Sequence, residues 1–141
     1  MSENLTTTLK YKDVIVKINR NSPTVFIGER INPTGRKKVL QAMKDGDFDM
    51  VRKDAIAQVN AGAKVLDVNA GVPGVDEPAL LVQVLQAVME VVDVPLSIDT
   101  ANPEALAAAL QVYDGKALIN SVNGEEKSLD AVLPIAKEHN A

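Results

Sequence analysis

Short apolar runs that end in polar side chains recur along this chain, and they constrain its fold more than any other feature. In chain order the four runs are Val25–Gly28, Ala63–Val68, Pro95–Ile98 and Lys116–Ile119. Buried parallel strands have such near-continuous apolar sequences, and polar groups converge where the carboxyl ends of these strands meet. The pattern therefore predicts an α/β protein with a candidate site along one rim of a parallel sheet.

The segments between these runs carry apolar residues at helical spacing. They predict helices over residues 37–44, 47–62, 77–92, 102–113 and 128–138. Strands that alternate with helices imply a parallel sheet covered by those helices. We therefore expect one domain over residues 1–141, in which residues 24–141 form four strand–helix units and residues 1–23 form an N-terminal extension.

The extension contains one further strand signal. Residues 14, 16 and 18 are apolar and alternate with their neighbours, which predicts a short strand over Val14–Ile18. A turn at Asn19–Pro23 separates it from the first run, for which we predict a strand over Thr24–Gly28. These two strands could form a hairpin, or the first could close the bottom of a barrel.

Composition excludes several classes of function. The 141 residues are 46% hydrophobic and 24% charged, which is ordinary for a soluble globular protein, and the net charge of −4 argues against nucleic-acid binding. The absence of cysteine and the presence of a single histidine, His139, remove thiolate metal sites and Ser-His-Asp catalysis. No stretch reaches about 18 apolar residues, as a membrane span requires. We expect a cytoplasmic protein that binds no membrane and no metal.

Four rim residues have side chains suited to ligand recognition. Asp99 offers a carboxylate acceptor and Asn120 an amide that both donates and accepts, whereas the alternative roles are a turn cap and a strand-end loop residue. Asp67 and Asn69 occupy alternate positions, so both side chains face one side of their strand. They could contact a ligand, or they could stabilise the loop at 71–74 through an Asx turn.

Other polar residues near the rim have a more structural interpretation. Arg30 is predicted to form an ion pair, with a rim neighbour or with a carboxylate from another strand. Ser97 and Ser121 are interpreted as small packing residues, because no base is available to activate either hydroxyl.

Four motifs in order on consecutive strand ends carry a resemblance to a known family. They are Gly28-Glu29-Arg30-Ile31-Asn32, Leu66-Asp67-Val68-Asn69-Ala70-Gly71, Ser97-Ile98-Asp99-Thr100-Ala101-Asn102 and Ile119-Asn120-Ser121-Val122-Asn123-Gly124-Glu125. Over about residues 24–141 the chain resembles the pterin-binding methyltetrahydrofolate:corrinoid methyltransferases, and it is similar to the folate domain of cobalamin-dependent methionine synthase. It resembles dihydropteroate synthase more distantly, because Asp67-Val68-Asn69 stands where the synthases have Asp-x-Gly.

The resemblance implies a fold and a set of roles. The family fold is a (β/α)8 TIM barrel, so residues 24–141 would be its N-terminal half, a partial pterin-binding domain. Asp99, Asn120 and Asn32 would bind the pterin, and Asp67 and Asn69 would be catalytic, near the nitrogen that carries the methyl group. The substrate would be tetrahydrofolate or methyltetrahydrofolate, and a corrinoid (cobalamin) would be carried by a partner protein.

The same resemblance leaves alternatives open for the assembly. The family's carboxylate after the fifth strand and a later amide have no counterpart here, so the chain would be a truncated form, a proteolytic fragment or a half-barrel completed by another chain. We expect a homo-oligomer, such as a dimer, since a half-barrel exposes sheet edges. The alternatives in function are a dihydropteroate-synthase-like enzyme and a non-catalytic half-barrel module.

Overall fold

The computed structural model describes residues 5–141, which form seven strands and five helices. The strands are β1 (Thr7–Tyr11), β2 (Val14–Ile18), β3 (Ile27–Ile31), β4 (Val65–Val68), β5 (Leu96–Asp99), β6 (Gly115–Lys116) and β7 (Leu118–Asn120). The helices are α1 (Lys37–Lys44), α2 (Asp49–Asn60), α3 (Glu77–Met89), α4 (Pro103–Val112) and α5 (Glu126–Glu138). None of these helices within residues 5–141 has the length and apolar character needed to cross a membrane.

A four-stranded parallel sheet forms the centre of the molecule, in the order β3-β4-β5-β7. Each consecutive pair of strands is parallel and is joined through helices, as the alternation of the sequence predicts. All four residues of β4 are buried, because helices cover the sheet and the neighbouring strands flank β4 on both edges. The predicted α/β architecture, resembling part of a TIM barrel, is confirmed.

The N-terminal strands pair differently from the expected hairpin. The predicted strand Val14–Ile18 is present as β2, but it pairs antiparallel with β1 and not with β3. Leu9 and Tyr11 are 1% and 3% exposed, so β1 has one well-buried face in spite of its Thr-rich start. β3 begins at Ile27 and extends to Ile31, later in the chain than the strand expected at Thr24–Gly28.

Tyr113 connects the small antiparallel sheet β2-β1-β6 to the parallel sheet. Its hydroxyl donates to the carbonyl of Lys10 at 2.8 Å and accepts from the backbone N–H of Leu96 at 3.2 Å, and its ring stacks on Tyr11 with centroids 5.5 Å apart. Burial raises the pKa of Tyr113 to about 12. Since Leu96 is the first residue of β5, this connection lies at the amino end of the parallel strands, opposite the predicted rim.

Side-chain caps define where helices α3 and α4 begin. Asn102 accepts from the backbone N–H groups of Glu104 and Ala105 at the start of α4, as its sequence pattern predicts. Asp76 accepts from the N–H of Ala79 at the start of α3. Such caps satisfy N–H groups that the first turn leaves unpaired. They fix the loops that follow β4 and β5 at the carboxyl rim.

Candidate functional site

The four predicted rim residues of β4, β5 and β7 meet at one end of the parallel sheet. Asp67 is paired in register with Ser97, and Asp99 with Asn120. Because side chains alternate along a strand, Asp67 and Asn69 share a face with Ser97 and Asp99. The structure thus brings two carboxylates, two amides and a hydroxyl together at the carboxyl ends of three adjacent strands.

Asp67 is a buried acceptor for two donors. It is 6% exposed, and its Oδ1 atom accepts from Ser97 Oγ at 2.6 Å and from Asn120 Nδ2 at 3.1 Å. The short distance to the hydroxyl is typical of a hydrogen bond to an ionised carboxylate. Ser97, interpreted from the sequence as a packing residue, therefore also belongs to the polar network.

Asn69 connects the loop after β4 to the carboxylate at the end of β5. Its Nδ2 atom donates to Asp99 Oδ2 at 3.1 Å, and its Oδ1 atom accepts from the backbone N–H of Gly71 at 2.9 Å. The second contact is the Asx turn considered as an alternative role. The Asx turn is therefore present and orients the amide towards Asp99, while the catalytic role predicted for Asn69 stays a prediction.

Asp99 differs electrostatically from an ordinary surface carboxylate. Burial raises the pKa of its carboxyl, and the negative charges of Asp67 and Glu29 raise it further, while the hydrogen bond from Asn69 acts in the opposite direction. The group is only part-buried. A ligand that donates an N–H to this carboxylate would stabilise its charged form and so lower its pKa again.

A cleft of about 510 Å³ opens beside Asp99 and Asn120, between α4 and α5. Its polar lining includes both of these residues, and Leu106, Ala131 and Val132 contribute apolar walls. This size and mixture are typical of small-molecule sites. The contribution of α5 was not predicted, because the sequence reveals that this segment is a helix and not how it packs across the end of β7.

The loop after β5 is ordered by a second set of contacts at the cleft. Thr100 is 7% exposed; its hydroxyl donates to Glu77 Oε1 at 2.5 Å and accepts from the backbone N–H of Asn102 at 3.0 Å. Thr100 and Asn102 both line the cleft. Glu77 was not predicted to take part, because its position in the first turn of α3 gave only a helix-start signal.

Asn32 and Arg30 lie on the β3 side of the rim and form contacts of their own. The side-chain oxygen of Asn32 accepts from the backbone N–H of Thr34 at 2.9 Å, and Asn32 is not among the residues that line the cleft. Its predicted role in pterin binding stays a prediction. Arg30 forms an ion pair as expected, at 3.0 Å to Asp54, but this partner lies on helix α2 and not on another strand. Asp54 also binds Arg36 at 2.7 Å.

Comparisons with known proteins agree with this architecture. Residues 28–141 match the family model described as pterin binding enzyme. The methylcorrinoid:tetrahydrofolate methyltransferase of Eubacterium limosum is 37% identical over 111 residues, which are 79% of this chain and 41% of that protein. The chain therefore spans less than half the length of this curated relative.

Solved structures of dihydropteroate synthases share the fold. The enzyme from Thermus thermophilus in complex with 6HMPPP has a TM-score of 0.59 at 25% identity, covering 96% of this chain and 47% of that one. The enzyme from Burkholderia cenocepacia has a TM-score of 0.51 at 22% identity, covering 92% of this chain and 40% of that one, and supports the fold alone. With the match of the family model over residues 28–141, this chain belongs to the pterin-binding enzyme family.

Proposed function

We propose that this chain is the pterin-binding part of a methyltransferase that moves a methyl group between N5 of methyltetrahydrofolate and the cobalt of a corrinoid protein. The 37% identity to a methylcorrinoid:tetrahydrofolate methyltransferase supports this choice within the pterin-binding enzymes. Asp67-Val68-Asn69 at the carboxyl end of β4 supports it as well, since it matches the methyltransferase pattern. The proposal concerns the whole enzyme, of which residues 24–141 would supply four strand–helix units.

One observation carries the proposal: Asp99 and Asn120 line the same cleft from adjacent strands, and both side chains are oriented by partners. Asn69 donates to Asp99, and Asn120 donates to Asp67. A reduced pterin has N–H donors next to nitrogen and carbonyl acceptors. Asp99 would accept from the ring N–H groups, while the amide of Asn120 would both donate and accept.

The chemistry requires orientation and a hydrogen bond or proton at the leaving nitrogen. Displacement at a methyl carbon leaves an amine, and an amine leaves poorly unless its nitrogen is protonated or hydrogen-bonded in the transition state. Asn69 lies at the rim next to Asp99 and would act near this nitrogen. Asp67 is buried and accepts from the Asn120 amide, so it would contribute to catalysis by holding that amide in place. A corrinoid carried by a partner protein would supply the cobalt that exchanges the methyl group.

A second candidate is a dihydropteroate-synthase-like reaction. Its support is the fold similarity to the Thermus enzyme in complex with 6HMPPP, at 25% identity. Such an enzyme would bind a pterin diphosphate together with p-aminobenzoate. The higher identity to the methyltransferase over 79% of this chain favours the first candidate.

An anaerobic assay distinguishes the two candidates. The whole enzyme that contains this chain is mixed with methyltetrahydrofolate and reduced cobalamin, and methylcobalamin is followed by its absorbance; in a parallel reaction, pyrophosphate is measured after adding a pterin diphosphate and p-aminobenzoate. We expect methylcobalamin to form and Asp99→Asn to prevent its formation. Asp93→Asn is the matched control, because Asp93 is exposed and pairs with Lys12 far from the rim. Pyrophosphate release without methyl transfer would support the second candidate.

A further inference from the structure

We propose that Ser97 is a positioning residue that acts through Asp67 to hold the amide of Asn120 in the orientation that binds the pterin. The inference deepens the proposed function and rests on it. Ser97 is 1% exposed and is not among the residues that line the cleft, so its hydroxyl acts at a distance from the ligand. Its effect on binding must be transmitted by the side chains that it contacts.

Ser97 and Asn120 share one acceptor atom. Ser97 Oγ and Asn120 Nδ2 both donate to Oδ1 of Asp67, at 2.6 and 3.1 Å. Two donors on one oxygen restrict rotation of the carboxylate, and the hydroxyl bond is the shorter of the two. Removal of Ser97 Oγ therefore frees the carboxylate to turn about its own axis and to change its distance from Asn120.

The bond to Asp67 fixes which way the NH2 group and the carbonyl oxygen of the Asn120 amide face. Because the amide donates an N–H to Asp67, its NH2 group faces the buried carboxylate and its carbonyl oxygen faces away from it. Asn120 lines the cleft, so the orientation of the amide decides which groups a ligand meets there. A flipped amide would present donors where an acceptor is needed, and an unpaired polar group in such a site costs about 1–3 kcal/mol.

The position of Ser97 in the sheet limits its movement. Ser97 lies opposite Asp67 in the β4–β5 register and opposite Leu118 in the β5–β7 register, two residues before Asn120. The backbone of Ser97 is thus fixed between two neighbouring strands, and its hydroxyl is held by the 2.6 Å bond to Asp67. A rigid donor of this kind is suited to orient its acceptor.

The test compares variants in the absence and in the presence of ligand. In ligand-free wild-type protein, NMR should show two distinct, exchange-protected side-chain amide protons for Asn120. In Ser97→Ala we expect these two signals to shift and to lose protection. Unchanged Asn120 signals would overturn the proposal, whatever the ligand affinity turns out to be.

Titration with methyltetrahydrofolate measures whether the variant also changes the affinity for the ligand. We expect Ser97→Ala to weaken binding about tenfold, as the loss of one hydrogen bond to a charged group allows. Ser22→Ala is the matched control, because it removes a part-buried hydroxyl that donates to Asn19 at 2.9 Å in the N-terminal extension, away from the cleft; it should leave the affinity unchanged. If Ser97→Ala unfolds, Ser97→Cys keeps a weak donor on a slightly larger side chain, and we expect it to give an intermediate loss of affinity.

The outcomes separate the two proposals. If wild-type protein does not bind methyltetrahydrofolate, the proposed function fails, while the NMR comparison still decides whether Ser97 orients Asn120. If wild-type protein binds and Ser97→Ala binds equally well, the positioning role is wrong and the proposed function stands.

Discussion

At the scale of single residues, Asp99 combines two properties that are typical of functional sites. It is buried enough for its pKa to be raised, and it still lines a cleft that a ligand can enter. The neighbouring carboxylates Asp67 and Glu29 raise the pKa in the same direction, whereas Asn69 stabilises the charged form. Binding and stability should therefore respond to pH in opposite ways at this residue.

We predict that affinity for methyltetrahydrofolate falls as the pH is lowered through the raised pKa of Asp99. The ionised carboxylate accepts from the pterin N–H groups more strongly than the protonated carboxyl does, so the dissociation constant should rise below that pKa, by at most about tenfold per pH unit. Because the pKa is raised, the fall should begin at a higher pH than for an ordinary aspartate. Calorimetric titration between neutral and acidic pH measures it, and the weak binding by Asp99→Asn should lack this component.

The raised pKa of Asp99 also predicts how the free energy of unfolding depends on pH. In the folded state Asp99 binds its proton more tightly than in the unfolded state, so its contribution is most favourable below the unfolded pKa and is lost as the pH rises through the folded value. Asp99→Asn should therefore unfold at a higher urea concentration than wild type at neutral pH, and this difference should shrink in acid. A variant less stable than wild type at neutral pH would contradict this assignment.

At the scale of elements, the attachment of the hairpin formed by β1 and β2 depends on a close backbone approach at β6. Gly115 has φ of +153°, and a Cβ there would collide with the carbonyl of Lys10 on β1. β1 and β6 pair through Lys10 and Tyr11 opposite Lys116 and Gly115. The hairpin can approach the parallel sheet only because residue 115 lacks a side chain.

We predict that Gly115→Ala lowers the free energy of unfolding by about 2–3 kcal/mol, because the collision involves backbone and cannot be relieved by a rotamer change. Gly74→Ala is the matched control: its φ is +77° and a Cβ there would meet nothing within 4 Å. It should cost only about 1–2 kcal/mol of left-handed backbone strain. Urea denaturation measures both variants, and equal losses would contradict the close-approach argument.

The elements also explain what the sequence could predict. The apolar runs that became β4 and β5 are buried on both faces, so hydrophobicity alone identifies them. The cap at Asn102 marks the start of α4 by a local hydrogen-bond pattern that the sequence contains. β1 was missed because Thr7 and Thr8 hide an alternation that only burial of Leu9 and Tyr11 reveals.

The sequence predicted which residues form the candidate site, but not the hydrogen bonds between them. Asp67, Asn69, Asp99 and Asn120 follow from strand ends that must meet in a parallel sheet. Which donor meets which oxygen depends on strand register and on side-chain rotamers, so the bond from Ser97 to Asp67 was not predictable. The walls from α5 depend on helix packing, which has no local sequence signal.

At the scale of the whole molecule, the site does not depend on one element. β4 supplies Asp67, β5 supplies Ser97 and Asp99, and β7 supplies Asn120, while α4 and α5 form the walls of the cleft. β3 and β7 are the outer strands of this four-stranded sheet. The chain spans 41% of the methyltransferase relative and 47% of the Thermus synthase. The pterin-contacting residues proposed from β5 and β7 lie within residues 28–141, the part that matches the pterin-binding family model.

The most direct test of the central claim is calorimetric titration of this chain with methyltetrahydrofolate, with Asp99→Ala titrated alongside. We predict saturable binding at a single site in wild type and a loss of at least about tenfold in affinity for the variant, because the N–H donors of the ring lose a charged acceptor. Circular dichroism should report the same fold for both proteins. Equal affinity of the two folded proteins, or no binding by folded wild type, would contradict the claim that Asp99 and its cleft form the pterin site.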